Sequence, residues 1–275
     1  MKPSSSLLTQ DASRAIAEIN AQYWPNRRQA RRRAARGLRA GEVALLARYA
    51  EELTGDVLEL GATGDRLTAA LAHHANSLLG VGVSAPTSRL CRERHPHAKF
   101  LEQNLTDLDV FDDGQFQAVV AGRFALDLLG DGQRRRLLDQ VCRVLAPNGV
   151  LIFSSHNLAC ESLVPSPARA ALTRPWRLPL LPQALANRAL LGRLQQRERG
   201  YALLNDIEAN FGLLHYFIDR DGQERQLNDV GLTLLECVSP RGEQVPPGCE
   251  AYGERELYYV AKPGLDQDPG TENLL

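Results

Sequence analysis

Between Asp56 and Ser155 the chain repeats one unit: a short apolar run, a turn, then a stretch with helical periodicity. DVLEL (56–60) leads through a glycine-containing turn into DRLTAALAHHA, and SLLGVGV (77–83) leads into PTSRLCRER. KFLEQ (99–103) and FQAVVAG (116–122) follow, then the amphipathic QRRRLLDQVCRVL, a PNG turn and GVLIFSS (149–155). This alternation predicts a parallel sheet with helices on both faces. Ligands of such sheets sit at the carboxyl ends of the strands, near the switch in strand order.

The flanks read differently. Residues 10–54 predict helices, with Pro25 suited to a first helical position. After Ser155, the prolines at Pro165, Pro167, Pro175, Pro179 and Pro182 oppose a regular layer. Residues 156–221 are therefore expected as an insertion of the lid or binding kind, with a helix through QALANRALLGRLQQRER. QERQLNDVG predicts a helix, and LTLLECVS (232–239) and ELYYVAKP (256–263) predict an antiparallel strand pair. The expected organisation is a helical cap over 1–54, an α/β core over 55–155, the insertion over 156–221, a final helix and strand pair over 222–263, and a polar tail over 264–275.

Composition narrows the function classes. With 275 residues, 44% of them hydrophobic and 24% charged, the chain can bury a real core. A net charge of -1 gives no global field to recruit nucleic acid or an anionic membrane. Five scattered cysteines, none in a C-x-x-C, argue against a disulfide scaffold or a zinc site and fit a reducing cytoplasm. MKPSSSLLTQDAS shows no secretory signal, and no apolar run approaches the ~20 residues of a membrane span. Lysine occurs only at Lys2, Lys99 and Lys262, so arginine carries nearly all positive charge, a composition typical of GC-rich bacteria. Arg28, Arg32, Arg36 and Arg39 recur at about helical spacing and read as a solvated face, with an anionic partner such as RNA as the lesser reading.

The most informative segment is VLELGATGDRLTAAL (57–71). A strand carrying Glu59 meets a turn with Gly61 and Gly64, and a helix follows, an arrangement that lets backbone N–H groups approach a ligand. It is not the dinucleotide fingerprint, which needs glycine where Thr63 and Arg66 stand. Together with LLGVGVSAPTSRLCRERHP, FLEQNLTDLDVFDDGQFQAVVAG and LLDQVCRVLAPNGVLIFSSHN, this segment resembles the class I S-adenosylmethionine (SAM)-dependent methyltransferases over roughly residues 45–157.

The resemblance implies a Rossmann-like, seven-stranded methyltransferase sheet and SAM as cofactor. It implies cofactor contacts from Glu59, Gly61, Ala62, Thr63, Gly64, Gly82, Asn104 and Leu105. Three positions depart from the family pattern. Thr63 and Asp65 replace glycines, and Gly82 stands where an acid usually accepts hydrogen bonds from the ribose. Two readings stay open. One is methyl transfer to an N or O of a small-molecule acceptor. The other is a degenerate relative that no longer uses SAM and acts as a binding or partner protein. No membrane contact and no nucleic acid are expected.

On the acceptor side, His156 and Asn157 fall just after the fifth strand, and His156 is placed as a base near neutral pH or as an anchor for the insertion. The run LLHYFIDRDGQERQL offers His215 or Tyr216 to orient or deprotonate a nucleophile, and Arg220 to pair with an acceptor carboxylate or phosphate. The alternative is that this run simply packs. Tyr23 and Trp24 pack on the sheet or stack on a cofactor. His73 and His74, being adjacent, face apart on a helix and make a poor metal pair.

Overall fold

A computed structural model describes residues 16, 20, 37–62, 66–82, 85–163 and 165–264. The expectations for Tyr23, Trp24, Arg28, Arg32, Arg36, Thr63, Gly64 and Asp65 lie outside these residues.

The repeating unit folds as its periodicity predicts. Helix α1 (Ala40–Arg48) precedes β1 (Asp56–Leu60), α2 (Arg66–His74), β2 (Ser77–Val81), α3 (Ala85–Arg94), β3 (Lys99–Phe100), β4 (Phe116–Ala121), α4 (Asp131–Val144) and β5 (Leu145–Asn157). Strands β1 to β5 pair in parallel. β9 (Leu232–Val238) and β10 (Glu256–Pro263) are antiparallel to each other, and β10 runs antiparallel to β5. Seven strands thus lie in the order β3-β2-β1-β4-β5-β10-β9, with the order reversing between β1 and β4. Apolar layers cover both faces: Leu58, Leu60, Val119, Leu151 and Phe153 on one, Val57, Ala118, Val120, Val150 and Ile152 on the other. Two-sided burial explains why these strands read as continuous apolar runs rather than alternating ones.

The sheet departs from expectation at its carboxyl end. Among the described residues it holds ten strands, where seven were expected. β5 continues past the last residue it pairs with β4, and that free edge is taken by the insertion. His156 and Asn157 pair in parallel with Phe217 and Ile218 of β8 (Leu214–Ile218), while Glu256 of β10 holds the other side of His156. β8 pairs with β7 (Tyr201–Asn205), which pairs with β6 (Gln196–Glu198). The helix expected through 183–199 stops early: α6 spans Leu181–Leu191, and the residues after it form a turn and β6 because they find a strand partner in β7. Helix α5 (Pro167–Thr173) starts at Ser166, whose Oγ accepts the Arg169 N–H. α7 (Arg220–Asn228) is capped by Asp219, whose Oδ1 accepts the Gly222 N–H.

Far upstream, Asn20 is buried against this extension. Its Nδ2 donates to the carbonyls of Leu128 (2.8 Å) and Leu214 (2.7 Å), and its Oδ1 accepts the Leu214 N–H. Among the described residues, no helix is long and apolar enough to cross a membrane.

Candidate active site

The ends of β1, β2 and β4 are built from glycine. Gly61 and Gly82 hold φ of +72° and +74°, a region L side chains rarely adopt. A Cβ on Gly61 would stand 2.8 Å from the Cβ of Ala125, and one on Gly122 would stand 3.1 Å from the Gly61 carbonyl oxygen. The turn after β1 is therefore packed directly on the loop after β4. Gly61 and Ala62 both donate to the Val81 carbonyl, which ties the same turn to β2. Ala62 itself packs with Cys91 and Phe100. Glu59 is buried in β1 and accepts from Thr68 Oγ1 of α2 (2.9 Å). Leu105 is buried against Gly82, and Asn104 Oδ1 accepts the Thr106 N–H in a local turn. The turns carrying Gly61, Ala62, Gly82 and Leu105, positions expected from the sequence to meet a cofactor, thus lie against one another.

Gly82 is glycine for a backbone reason. Besides its left-handed φ, an added Cβ would approach Leu105 Cδ1 to 3.0 Å. Gly82→Asp, which would restore the family's usual acid, is expected to destabilise the fold by about 1–2 kcal/mol. Urea denaturation checks this. An unchanged midpoint would mean that the turn accepts a side chain.

The loop after β4 joins these turns to a second cluster. Phe124, itself at φ +60°, stacks on the His156 ring with centroids 3.7 Å apart. His156 Nδ1 lies 2.7 Å from Asp127 Oδ2, which also accepts the His156 backbone N–H at 2.8 Å. Asp127 Oδ1 accepts from Ser155 Oγ (2.6 Å) and Arg134 Nη1 (2.7 Å). A carboxylate oxygen can only accept, so His156 Nδ1 carries a proton directed at Asp127. Burial pushes the Asp127 carboxyl up, but His156 and Arg134 outweigh it and hold it below the usual range.

Across from His156 stand His215 of β8 and Asp206, which follows β7. His215 Nδ1 is 3.0 Å from Asp206 Oδ1, and Asp206 Oδ2 is 3.8 Å from His156 Nε2. Burial pushes the Asp206 carboxyl up, yet the two histidines bring it down to about 2. Burial pulls the His215 ring down, and Asp206 more than reverses this, so it titrates above its ordinary value. His156, Asp206 and His215 offer donor atoms within 4.8 Å of one another, a spacing a cation could bridge. The Asp206–His215 ion pair already neutralises the set, so a cation would first have to displace the His215 proton.

These shifts fix a pH window. The Asp206 contribution to stability is present above about pH 4, the unfolded value, and is lost as pH falls toward 2. The His215 contribution is complete below about pH 6.5 and fades as pH rises through its raised folded value. The pair, counted once, is expected to add about 2 kcal/mol between those limits. Thermal melts across pH test it: Asp206→Asn should flatten the profile, and an unaltered profile would show that the pair adds nothing.

The other residues singled out from the sequence are occupied structurally. Tyr216, expected to orient or deprotonate a nucleophile, donates its Oη–H to Asp131 Oδ1 (2.5 Å), and burial together with Asp131 pushes its phenol far up. Asn157 Nδ2 fastens the carbonyls of Glu250, Ala251 and Glu254. Arg220 is paired with Glu224 and, at 3.0 Å, with Asp221. It lines a cavity of about 630 Å³ with Arg197, Tyr201 and Arg225, whose wall also includes Leu158 and Ala159 just after β5 but not His156 itself. Arg39 is held by Glu256 at 2.6 Å, so it adds nothing to a free basic face. Sequence reasoning missed Asp127, Asp206 and Arg134. The one signal for the two acids was a lone carboxylate inside an apolar run, in FALDLLG and ALLNDI.

Residues 57–149 match the family described as Methyltransferase domain. No curated protein matches the chain. Solved structures share the fold. An S-adenosylmethionine-dependent methyltransferase from Clostridium acetobutylicum aligns with a TM-score of 0.54 at 13% identity, over 84% of this chain and 94% of that one. The 1,6-didemethyltoxoflavin-N1-methyltransferase of Burkholderia thailandensis, solved with 1,6-didemethyltoxoflavin and S-adenosylhomocysteine, gives 0.54 at 14%, over 96% and 91%. The CcbJ methyltransferase from Streptomyces caelestis gives 0.54 at 17%, over 82% and 95%. Identities this low speak to the fold. Residues 57–149 thus match a methyltransferase-domain family, and the chain shares its fold with S-adenosylmethionine-dependent methyltransferases.

Proposed function

We propose that the chain transfers a methyl group from SAM to a nitrogen or oxygen of a small-molecule acceptor, with His156 taking the acceptor's proton. One observation carries this reading. The 122–125 loop packs on the Gly61 turn through Gly122 and Ala125, and on His156 through Phe124. The glycine rim and the Asp127-oriented imidazole therefore belong to one site. The rim fits the cofactor: Gly61, Gly82 and Gly122 leave backbone rather than side chains at three strand ends, with Glu59, Asn104 and Leu105 beside them. Bound there, SAM supplies an electrophilic methyl on a sulfonium. The chain's own work is to hold the acceptor in line and exclude water. Asp127 orients His156, and Asp206 keeps His215 cationic beside it. Two histidines with opposite proton roles make an acid–base pair.

The left-handed Gly82 favours the second reading, a relative without SAM, because no carboxylate can replace it cheaply. Titration calorimetry with SAM and S-adenosylhomocysteine separates the two. Micromolar binding is expected. Absence of heat at millimolar ligand would discard methyl transfer and direct attention to partner proteins.

A further inference from the structure

Independently of methyl transfer, we infer that the α5–α6 segment docks in the plane of an anionic lipid surface. Helix α6 wears an apolar stripe on its outside. Pro182, Leu185, Ala186, Ala189 and Leu190 recur at i, i+3, i+4, i+7 and i+8, the spacing of a face meant for burial, yet all five are exposed. The opposite side is satisfied: Ala184 packs with Ala170, Ile207 and Phe211, and Leu191 packs with Leu203 and Leu214. The turn before α6 continues the exposed surface with Trp176 (66% exposed), Leu178 and Leu180, and α5 adds Leu172 (77%).

The segment that carries this surface is positively charged, with Glu208 on the adjoining loop as a nearby acid. No Asp or Glu occurs from residue 162 to 197, while six arginines do. Arg169, Arg174 and Arg193 are exposed, and among the described residues none of the three has an ion-pair partner. The Arg177 guanidinium lies 4.9 Å from the Trp176 ring centroid. Burial first, and Arg174 second, lower the affinity of Arg177 for its proton, while Glu208 and Asp206 oppose them. This chemistry selects the occupant. A second copy would set arginine against arginine. Nucleic acid would leave the apolar stripe in water. An anionic bilayer accepts Leu into its acyl boundary, Trp at headgroup level and Arg at the phosphates. A net charge of -1 and the lack of a spanning run suggested no membrane contact, but that average conceals how far the charge is segregated. The inner side of the patch holds Ile207 and Phe211, in the loop that carries Asp206, so docking would bring the acceptor side of the site close to the bilayer.

Co-sedimentation of the full chain with vesicles tests this. Binding is expected to phosphatidylcholine vesicles containing about one-third phosphatidylglycerol, weak or absent with phosphatidylcholine alone, and reduced by salt. Arg174→Glu with Arg193→Glu should lower the partition by at least about fivefold for each arginine removed. Trp176→Ala with Leu190→Ala should lower it about tenfold or more. All four positions are exposed, so unchanged thermal melts would show that the variants fold. Equal partition into both vesicle types, or none into either, overturns the inference. So does a dimer that the same substitutions dissociate, since the stripe would then be covered by a second copy.

Discussion

On the proposed function, His156→Ala is expected to lower methyl transfer by about 100- to 10,000-fold, the range typical of a lost general base, and to leave SAM affinity unchanged. The variant is expected to fold. Asp127 Oδ2 keeps the backbone N–H of residue 156, and Oδ1 keeps Ser155 and Arg134. Calorimetry reads the cofactor affinity, and single-turnover methylation reads the chemical step. The split between the two carries the information. A loss confined to turnover, eased at high pH where the acceptor ionises unaided, marks His156 as the base. Equal turnover in parent and variant would mean that the acceptor arrives already deprotonated and that the imidazole only anchors the insertion.

The largest stability effect belongs to Arg134→Ala, expected to cost about 3–5 kcal/mol. Arg134 has no exposed surface, and its guanidinium serves four groups: Asp127 (2.7 Å), Gln223 (2.7 Å), Gln226 (3.0 Å) and Ser155 (3.3 Å). Its Cζ also lies 4.6 Å from the Tyr216 ring centroid. Truncation leaves the Asp127 carboxylate buried with its main counter-charge gone. Arg134→Lys should recover little, because an ammonium cannot reproduce the planar fork. Denaturant unfolding of both variants checks this. A cost below about 1 kcal/mol would show that water fills the space and satisfies Asp127 and the two glutamines.

The strands of the core were legible because burial on both faces writes itself as apolar runs; DVLEL and ELYYVAKP coincide with β1 and β10 to the residue. The insertion was not. β6 has only three residues, and RLQQRER carries helix-forming residues whose strand character comes from pairing with β7. In the site, His156 and His215 stood out as residue types, and the topology brings their rings to 4.8 Å. Asp127 and Asp206 were hidden because a carboxylate's role depends on what faces it across the fold, and nothing in FALDLLG or ALLNDI names a partner. Tyr216 is the opposite case: its chemistry suits a base, but Asp131, 85 residues away, takes its proton donor.

His156 and Asn157 are at once the last residues of β5 and the only stretch of it that β8 pairs with. On the proposed reading, the base and the segment facing the acceptor are therefore one mechanical part. A chimera that exchanged the insertion at residue 158 would deliver a new β8 to an edge shaped for the old one, and would tilt the imidazole with every misfit. Exchange among folds of this kind has to carry the end of β5 as well, so a change of acceptor and a change of base geometry are inherited together.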